Sequence, residues 1–279
     1  MIASALRRLT VGERTGLGAF GTVLVLAPVD IRLALLPLLA FILVCLAESF
    51  RPASSFFLPV ISRGPSAMRA VALTFDDGPD PRTTPVLLRL LAAHGAPATF
   101  FVNGRRASRY PELTARILAE GHALANHSYT HPMLAAFKGT QTMAHEIEAT
   151  QAAIRAAGAE ALAYRPPMGI TGPRLARLIR LKRMFVVNFS CRAFDGGNRR
   201  VRDLSGRILR RVRAGDIVLL HDIVPTPSSL LPYWANEVDR VIQGIREKGL
   251  AILPLAELIG KPVMIRAGEV HSGGGNPAR

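Results

Sequence analysis

Two short clusters in this chain carry residue types suited to catalysis. Thr74-Phe75-Asp76-Asp77-Gly78-Pro79-Asp80 sets two adjacent carboxylates on a Gly-Pro turn, directly after the apolar run Val71-Ala72-Leu73. Further along, Asn126-His127-Ser128-Tyr129-Thr130-His131-Pro132 sets two histidines four positions apart. Two imidazoles and one carboxylate suffice to hold a catalytic divalent ion with an open position. The other carboxylate is then free to act as a base, and the residues alone do not say which Asp takes which part. The i, i+4 spacing predicts both rings on one face of a helical turn. Such a donor set suits zinc first and also accepts cobalt, manganese or nickel. An ion held there would supply Lewis-acid activation of an amide and of water, so the chemistry expected is metal-assisted hydrolysis.

These clusters need elements that bring them together. Short apolar runs suited to buried strands recur at 71–75, 98–102, 122–126, 162–165, 184–189, 217–220 and 250–253. Helical patterns alternate with them at 85–93, 112–120, 143–157, 173–181, 203–212 and 236–248. Alternation of this kind predicts parallel strands with helical crossovers, here a distorted (β/α)7 barrel one strand short of eight. Polar residues fall at the strand ends: Asp76 and Asp77 after the first, Asn103 after the second, His127 and His131 after the third. Arg165 ends the fourth, Asp195 follows the fifth and His221-Asp222 ends the sixth. In a barrel of parallel strands those ends share one face, where active sites are built.

At this point the residues resemble a known family. Thr74-Phe75-Asp76-Asp77-Gly78-Pro79 is similar to the first signature of the NodB-homology polysaccharide deacetylases, carbohydrate esterase family 4. His127-Ser128-Tyr129-Thr130-His131 resembles the second signature, Arg165-Pro166-Pro167 the third, Asp195 within Arg192-Ala193-Phe194-Asp195 the fourth, and Leu219-Leu220-His221-Asp222 the fifth. They occur in the family's order over roughly residues 70–260. The resemblance implies that Asp77, His127 and His131 hold the metal, Asp76 is the base and His221 is the acid that protonates the departing amine. It further implies that Arg165 pairs with Asp76, that Asp195 orients His221, and that the Met168 backbone N–H holds the oxyanion beside Pro167. Asn103 and Tyr129 are candidates for lining the substrate cleft. Met168 stands where many relatives have an aromatic residue, and Gly196 where many have Trp. Both departures weaken the expectation of a long linear glycan and suit a lipid-linked or glycolipid amino sugar. The expected activity is removal of N-acetyl or a related N-acyl group from an amino-sugar glycan or glycolipid. The rivals are a deformylase or deacylase of a lipid-linked sugar, and a tethered, catalytically inactive carbohydrate-binding module.

The remaining sequence bounds the setting. Of 279 residues 49% are hydrophobic, and much of that excess lies in the first fifty positions. The stretch 17–29 and the run 33–47 are apolar, interrupted by Asp30-Ile31-Arg32. Residues 1–48 are therefore expected to be a membrane anchor, as one long or two short helices, on a bilayer of the bacterial inner-membrane type. Arginines flank the segment on both sides, which leaves the membrane face open. Residues 49–69, rich in Pro, Ser and Gly, read as a linker, 70–262 as the catalytic domain and 263–279 as a flexible tail. The net charge of +15 suits membrane lipids as a partner. Without an interleaved aromatic platform it does not point to nucleic acid. Two cysteines, Cys45 and Cys191, suggest no disulfide framework. Oligomeric state is not legible.

Overall fold

The computed structural model describes residues 9–133 and 138–268. The apolar region forms two helices. Thr10 opens α1 (Val11–Leu26) with a capping box, its hydroxyl accepting from the Glu13 N–H at 3.1 Å while Glu13 accepts from the Thr10 N–H at 2.7 Å. Asp30, an interruption by hydropathy, is the N-cap of α2 (Ile31–Ser49) and accepts from the Arg32 N–H at 2.7 Å. With 19 residues, a mean hydropathy of 2.3 and little burial, α2 can cross a membrane or serve as a signal sequence, by length and composition.

The stretch expected to be a linker is built into the body instead. Phe56, Phe57 and Leu58 are buried, and β1 (Val60–Ile61) pairs in parallel with β7 (Phe185–Val187). An apolar Phe-Phe-Leu run inside the Pro- and Ser-rich segment gives it surface to bury, and that outweighs the turn-forming composition.

The body alternates strand and helix. Its first half runs β2 (Ala70–Asp76), α3 (Thr84–Ala93), β3 (Ala98–Val102), α4 (Gly104–Arg109), α5 (Pro111–Ala119), β4 (Ala123–Asn126) and α6 (Thr140–Ala156). Then come β5 (Ala159–Ala161), β6 (Ala163–Tyr164), α7 (Pro173–Leu181), β7, β8 (Cys191–Arg192), α8 (Leu204–Leu209) and β9 (Ile217–His221). The chain finishes with α9 (Leu231–Glu247), β10 (Ala251–Ile252), α10 (Leu255–Ile259) and β11 (Met264–Arg266). Nine strands make one parallel sheet in the order β1-β7-β6-β4-β3-β2-β9-β8, with β10 added along β2. Its path ends at β1 and β8 without joining, so the sheet is a curled, open barrel of the expected (β/α) type. Residues 263–266, expected in a flexible tail, are packed: Val263 is buried and β11 pairs antiparallel with β5. Residues 269–279, the rest of that tail, lie outside the described residues.

Side-chain alternation along the strands explains both the core and the site. Val71, Leu73 and Phe75 of β2 and Val218 and Leu220 of β9 face the helices, packing with residues such as Leu87, Ile147, Trp234 and Ile242. Ala70 and Ala72 of β2 and Ile217 and Leu219 of β9 face the inside of the curl, with Phe101 and Val187. A period of two then turns the next polar residues of both strands inward, Thr74 and Asp76 on β2 and His221 on β9. Asp76 and His221 are register partners, which sets the two side by side at the C-terminal rim.

Candidate active site

The rim beyond β2, β4, β6 and β9 encloses a cavity of about 340 Å³ lined by Asp76, Asp77, His127, His131, Met168, Asp195 and His221. β2 ends on Asp76, and Asp77 follows with φ +74°. Left-handed backbone is costly for a non-glycine residue and concentrates at functional sites. Gly78 is required where the turn passes over Asp222, because a Cβ there would lie 2.2 Å from Asp222 Oδ2. Beneath it the Asp222 carboxyl receives the Thr83 hydroxyl at 2.7 Å and the Thr84 hydroxyl at 2.6 Å, and its N–H donates to the Asp76 carbonyl at 2.8 Å. Burial pushes the Asp222 carboxyl up to about 8. The sequence reading did not single out this strut between the Asp-Asp turn and β9.

The two histidines meet, though not on a helical turn. Residues 127–131 are irregular, with Ser128 at φ +64° and His131 at φ +55°. Glu146 of α6 replaces helical hydrogen bonding: its carboxylate accepts the N–H groups of Tyr129 at 2.9 Å and Thr130 at 2.7 Å and the Thr130 hydroxyl at 2.7 Å. Asn126 Oδ1 accepts the Ser128 N–H at 3.0 Å. Nothing local in the sequence marks Glu146 for this part, because it stands 16 positions beyond Thr130 on a helix.

Asp77 Oδ1 lies 3.5 Å from Nε2 of both His127 and His131, and one donor atom from each of the three residues falls within 4.8 Å of the others. This grouping can hold a metal ion, and its chemistry fits one. His127 Nδ1 is 2.8 Å from the Arg165 carbonyl, which can only accept, so Nδ1 carries the proton and Nε2 presents its lone pair toward Asp77. Burial, and then the neighbouring His131, push the His127 ring down to about 3, which keeps it neutral as a ligand must be.

Arg165 is wholly buried and its guanidinium has four partners. It donates to Asp76 Oδ1 at 2.6 Å, the Thr74 hydroxyl at 2.9 Å, and the carbonyls of Val187 and Asn188 at 3.1 and 3.0 Å. It also lies over the Phe101 ring at 3.8 Å. Burial pushes the Asp76 carboxyl up, and the guanidinium opposes it. Across the cavity, His221 Nδ1 meets Asp195 Oδ2 at 2.8 Å. Burial disfavours the charged ring, yet Asp195, with Asp77 and Asp76 beyond it, raises His221 to about 9. Asp195 itself is held low against its burial by His221 and by the Asn198 N–H.

Three expected residues sit elsewhere. Asn103 is the N-cap of α4, its Oδ1 accepting from the Arg106 N–H at 3.2 Å. The Tyr129 side chain packs by Gly104 and lines a separate cavity with His145. Pro167 is buried under the turn whose Met168, at φ +60° and exposed, reaches the cavity. Cys191, near the site in sequence, points into the outer core, where burial pushes its thiol up to about 12. The cleft walls missed in the sequence are Arg192, Phe189, Phe194, Arg199 and Met133. Arg192 stacks between Phe189 at 5.2 Å and Phe194 at 4.2 Å; Arg192 and Phe194 stand in the fourth signature, but Phe189 lies outside it.

Comparison with known proteins agrees with this fold. The family described as polysaccharide deacetylase matches residues 63–183. The chitooligosaccharide deacetylase of Sinorhizobium fredii (strain NBRC 101917 / NGR234) is 34% identical over 209 residues, covering 72% of this chain and 97% of the relative. The peptidoglycan-N-acetylglucosamine deacetylase of Bacillus cereus (strain ATCC 14579) is 30% identical and covers 70% of each chain. Among solved structures, the Bc1960 peptidoglycan N-acetylglucosamine deacetylase superposes with a TM-score of 0.67 at 28% identity, over 73% of this chain and 94% of that one. With the five signatures gathered at one rim of a curled parallel sheet, this chain belongs to the polysaccharide deacetylase family.

Proposed function

We propose that the protein is a membrane-tethered, metal-dependent hydrolase that removes N-acetyl groups from N-acetylglucosamine-containing glycans or glycolipids. The observation that carries the reading is one cavity flanked by two proton-handling pairs of opposite character. Asp76 is bound to the Arg165 guanidinium, and His221 is bound to the Asp195 carboxylate. The similarity to chitooligosaccharide and peptidoglycan deacetylases supports the substrate class.

Asp77, His127 and His131 would hold the divalent ion, zinc in the first place. When bound it supplies Lewis-acid activation of the amide and of water. Arg165 leaves Asp76 Oδ1 occupied, so Oδ2, facing His127, is the atom that takes a proton from the attacking water. The Met168 backbone N–H is assigned to the carbonyl oxygen as it gains charge. His221, kept charged by Asp195, gives a proton to the departing nitrogen, which leaves poorly as an amide anion. α2 is assigned the part of membrane anchor.

The test is acetate release from N-acetylglucosamine oligomers by the full chain in detergent with zinc. Asp76→Asn and His221→Ala should each lower kcat by about 10²-fold or more while the fold is retained. Undiminished turnover in a folded Asp76→Asn protein would refute the assignment.

A further inference from the structure

Beside the catalytic cavity lies a second one, of about 490 Å³, lined by Arg199, Arg200, Arg202, Arg207, Thr226 and Pro227. Arg199 belongs to the walls of both. The segment is anchored to the catalytic acid. Asn198 Nδ2 donates to the His221 carbonyl at 3.0 Å and the Ile223 carbonyl at 2.6 Å, and its own carbonyl accepts the Thr226 N–H at 3.2 Å. Arg207 serves the loop itself, donating to the carbonyls of Arg200 and Arg202. The other three guanidinium groups are exposed and, among the described residues, have no ion-pair partner. The neighbouring acid, Asp203, is taken by Arg210 at 2.8 Å. Three uncompensated charges held around one pocket repel one another and lower the free energy of an anion placed between them.

The other side of the catalytic cavity meets the apolar helix. The Ser49 carbonyl at the end of α2 accepts the Thr171 N–H at 3.2 Å, and the Pro52 carbonyl accepts Asn188 Nδ2 at 2.6 Å. Gly169, in the cavity wall, lies so close under Pro52 that a Cβ there would be 3.0 Å from the proline's own. Met133, Met168 and Phe194 stand exposed at the mouth. The catalytic cavity thus has exposed apolar side chains in its wall and shares Arg199 with the arginine-lined cavity beside it.

We infer that Arg199, Arg200 and Arg202 form an anion subsite, and that the amino sugar cut in this cleft carries a phosphate ester next to the sugar bearing the scissile amide. The inference rests on the deacetylase reading for the amide and on the arginine pocket for the phosphate. Phosphate offers several acceptor oxygens, and guanidinium groups match it with paired charge-assisted hydrogen bonds. The same chemistry could come from a lipid-linked substrate, a soluble sugar phosphate or a phospholipid headgroup, and the experiment separates the three.

The full chain in detergent with zinc is assayed for acetate release from neutral N-acetylglucosamine oligomers, N-acetylglucosamine 1-phosphate and a polyprenyl-phosphate-linked N-acetylglucosamine. The phosphate-bearing compounds should show kcat/KM about tenfold above the neutral ones at low salt, falling as salt rises. In the Arg200→Gln/Arg202→Gln variant that ratio should fall toward one. Superiority of the lipid-linked compound over the soluble phosphate names the lipid-linked source. Equal rates on neutral and phosphorylated compounds overturn the inference and leave the deacetylase reading standing. A phosphate preference that survives the double substitution also overturns it, since the anion is then held elsewhere.

A binding arm does not need turnover. Metal-free Asp76→Asn protein is titrated calorimetrically with inorganic pyrophosphate, with and without the two arginine substitutions. Arginine-dependent binding in this variant, together with no acetate release from any compound by the zinc-loaded parent, refutes the deacetylase reading and supports the subsite. Loss of binding to phosphatidylglycerol vesicles in the variant, with no change in sugar preference, reassigns the arginines to headgroups and overturns the substrate inference.

Discussion

The buried Arg165–Asp76 pair offers a prediction whose size can be worked from the structure. Arg165→Met keeps most of the apolar stem beside Phe101 and removes the guanidinium. It strands the Asp76 carboxylate, which is 3% exposed, and deprives the carbonyls of Val187 and Asn188 and the Thr74 hydroxyl of a donor. Breaking one side of a buried pair costs about 3–5 kcal/mol, and each orphaned neutral acceptor adds about 1 kcal/mol. For a body of this size a kcal/mol is about 2–4 °C of melting temperature, so a drop of roughly 10 °C or more is expected. Without the opposing cation, burial raises the Asp76 carboxyl further, which makes the carboxylate less available as a base, and kcat falls as well. Pairing Arg165→Met with Asp76→Asn removes the stranded charge. The double variant should then melt above the value obtained by adding the two single losses, with a coupling of about 1 kcal/mol or more. The assay is thermal melting of the full chain in detergent alongside acetate release. A single variant melting within about 2 °C of the parent, or strictly additive losses, would refute the claim that this pair is a coupled charge clamp.

Three further outcomes follow from other contacts. Asp222 has its folded-state carboxyl raised to about 8 from 3.8, so its protonated form stabilises the fold at low pH and that contribution is lost as pH rises from about 4 to about 8. Asp222→Asn should flatten this dependence, making the parent-minus-variant melting difference larger at pH 5 than at pH 8, and Asp222→Ala, which also strands the Thr83 and Thr84 hydroxyls, should melt below Asp222→Asn at either pH. Asp195→Asn removes what keeps His221 charged, so the alkaline limb of the kcat/KM profile, near 9 in the parent, should move down in pH while the KM for substrate changes little. Glu146→Gln frees the loop of His127 and His131 from its carboxylate, and zinc affinity measured by chelator competition should weaken about 10–100-fold.

What the sequence made legible was what periodicity and residue type encode. β3 falls on the expected residues 98–102, because Ala98-Thr99-Phe100-Phe101-Val102 is apolar on both faces and bounded by Pro97 and Asn103. Residue type and spacing pointed to two histidines with one of two aspartates as ligands, and convergence of strand C-termini predicted that polar residues there would meet whatever their separation in sequence. The choice of Asp77 as ligand, and the pairing of Arg165 with Asp76 and of Asp195 with His221, came instead from the resemblance to the family. Backbone geometry at the site was less accessible. The His127–His131 spacing looks helical, yet Glu146 holds an irregular loop, and a buried carboxylate reaching across from α6 leaves no local signature. Asn103 follows a strand end and Tyr129 lies within the second signature, and both still turn away from the cavity, Asn103 to cap α4 and Tyr129 to pack by Gly104. Composition misled at 49–69, where Phe56 and Phe57 decide the outcome despite their Pro- and Ser-rich surroundings.

The most direct test of the central claim couples metal content to turnover. The full chain is purified in detergent, loaded with zinc, freed of excess metal and assayed for bound metal by elemental mass spectrometry and for acetate release, beside His127→Ala. About one equivalent of zinc in the parent, with acetate release that a chelator abolishes and zinc restores, and loss of both in His127→Ala, is the predicted result. A folded parent that binds no metal, or a His127→Ala protein that releases acetate as fast as the parent, would contradict it.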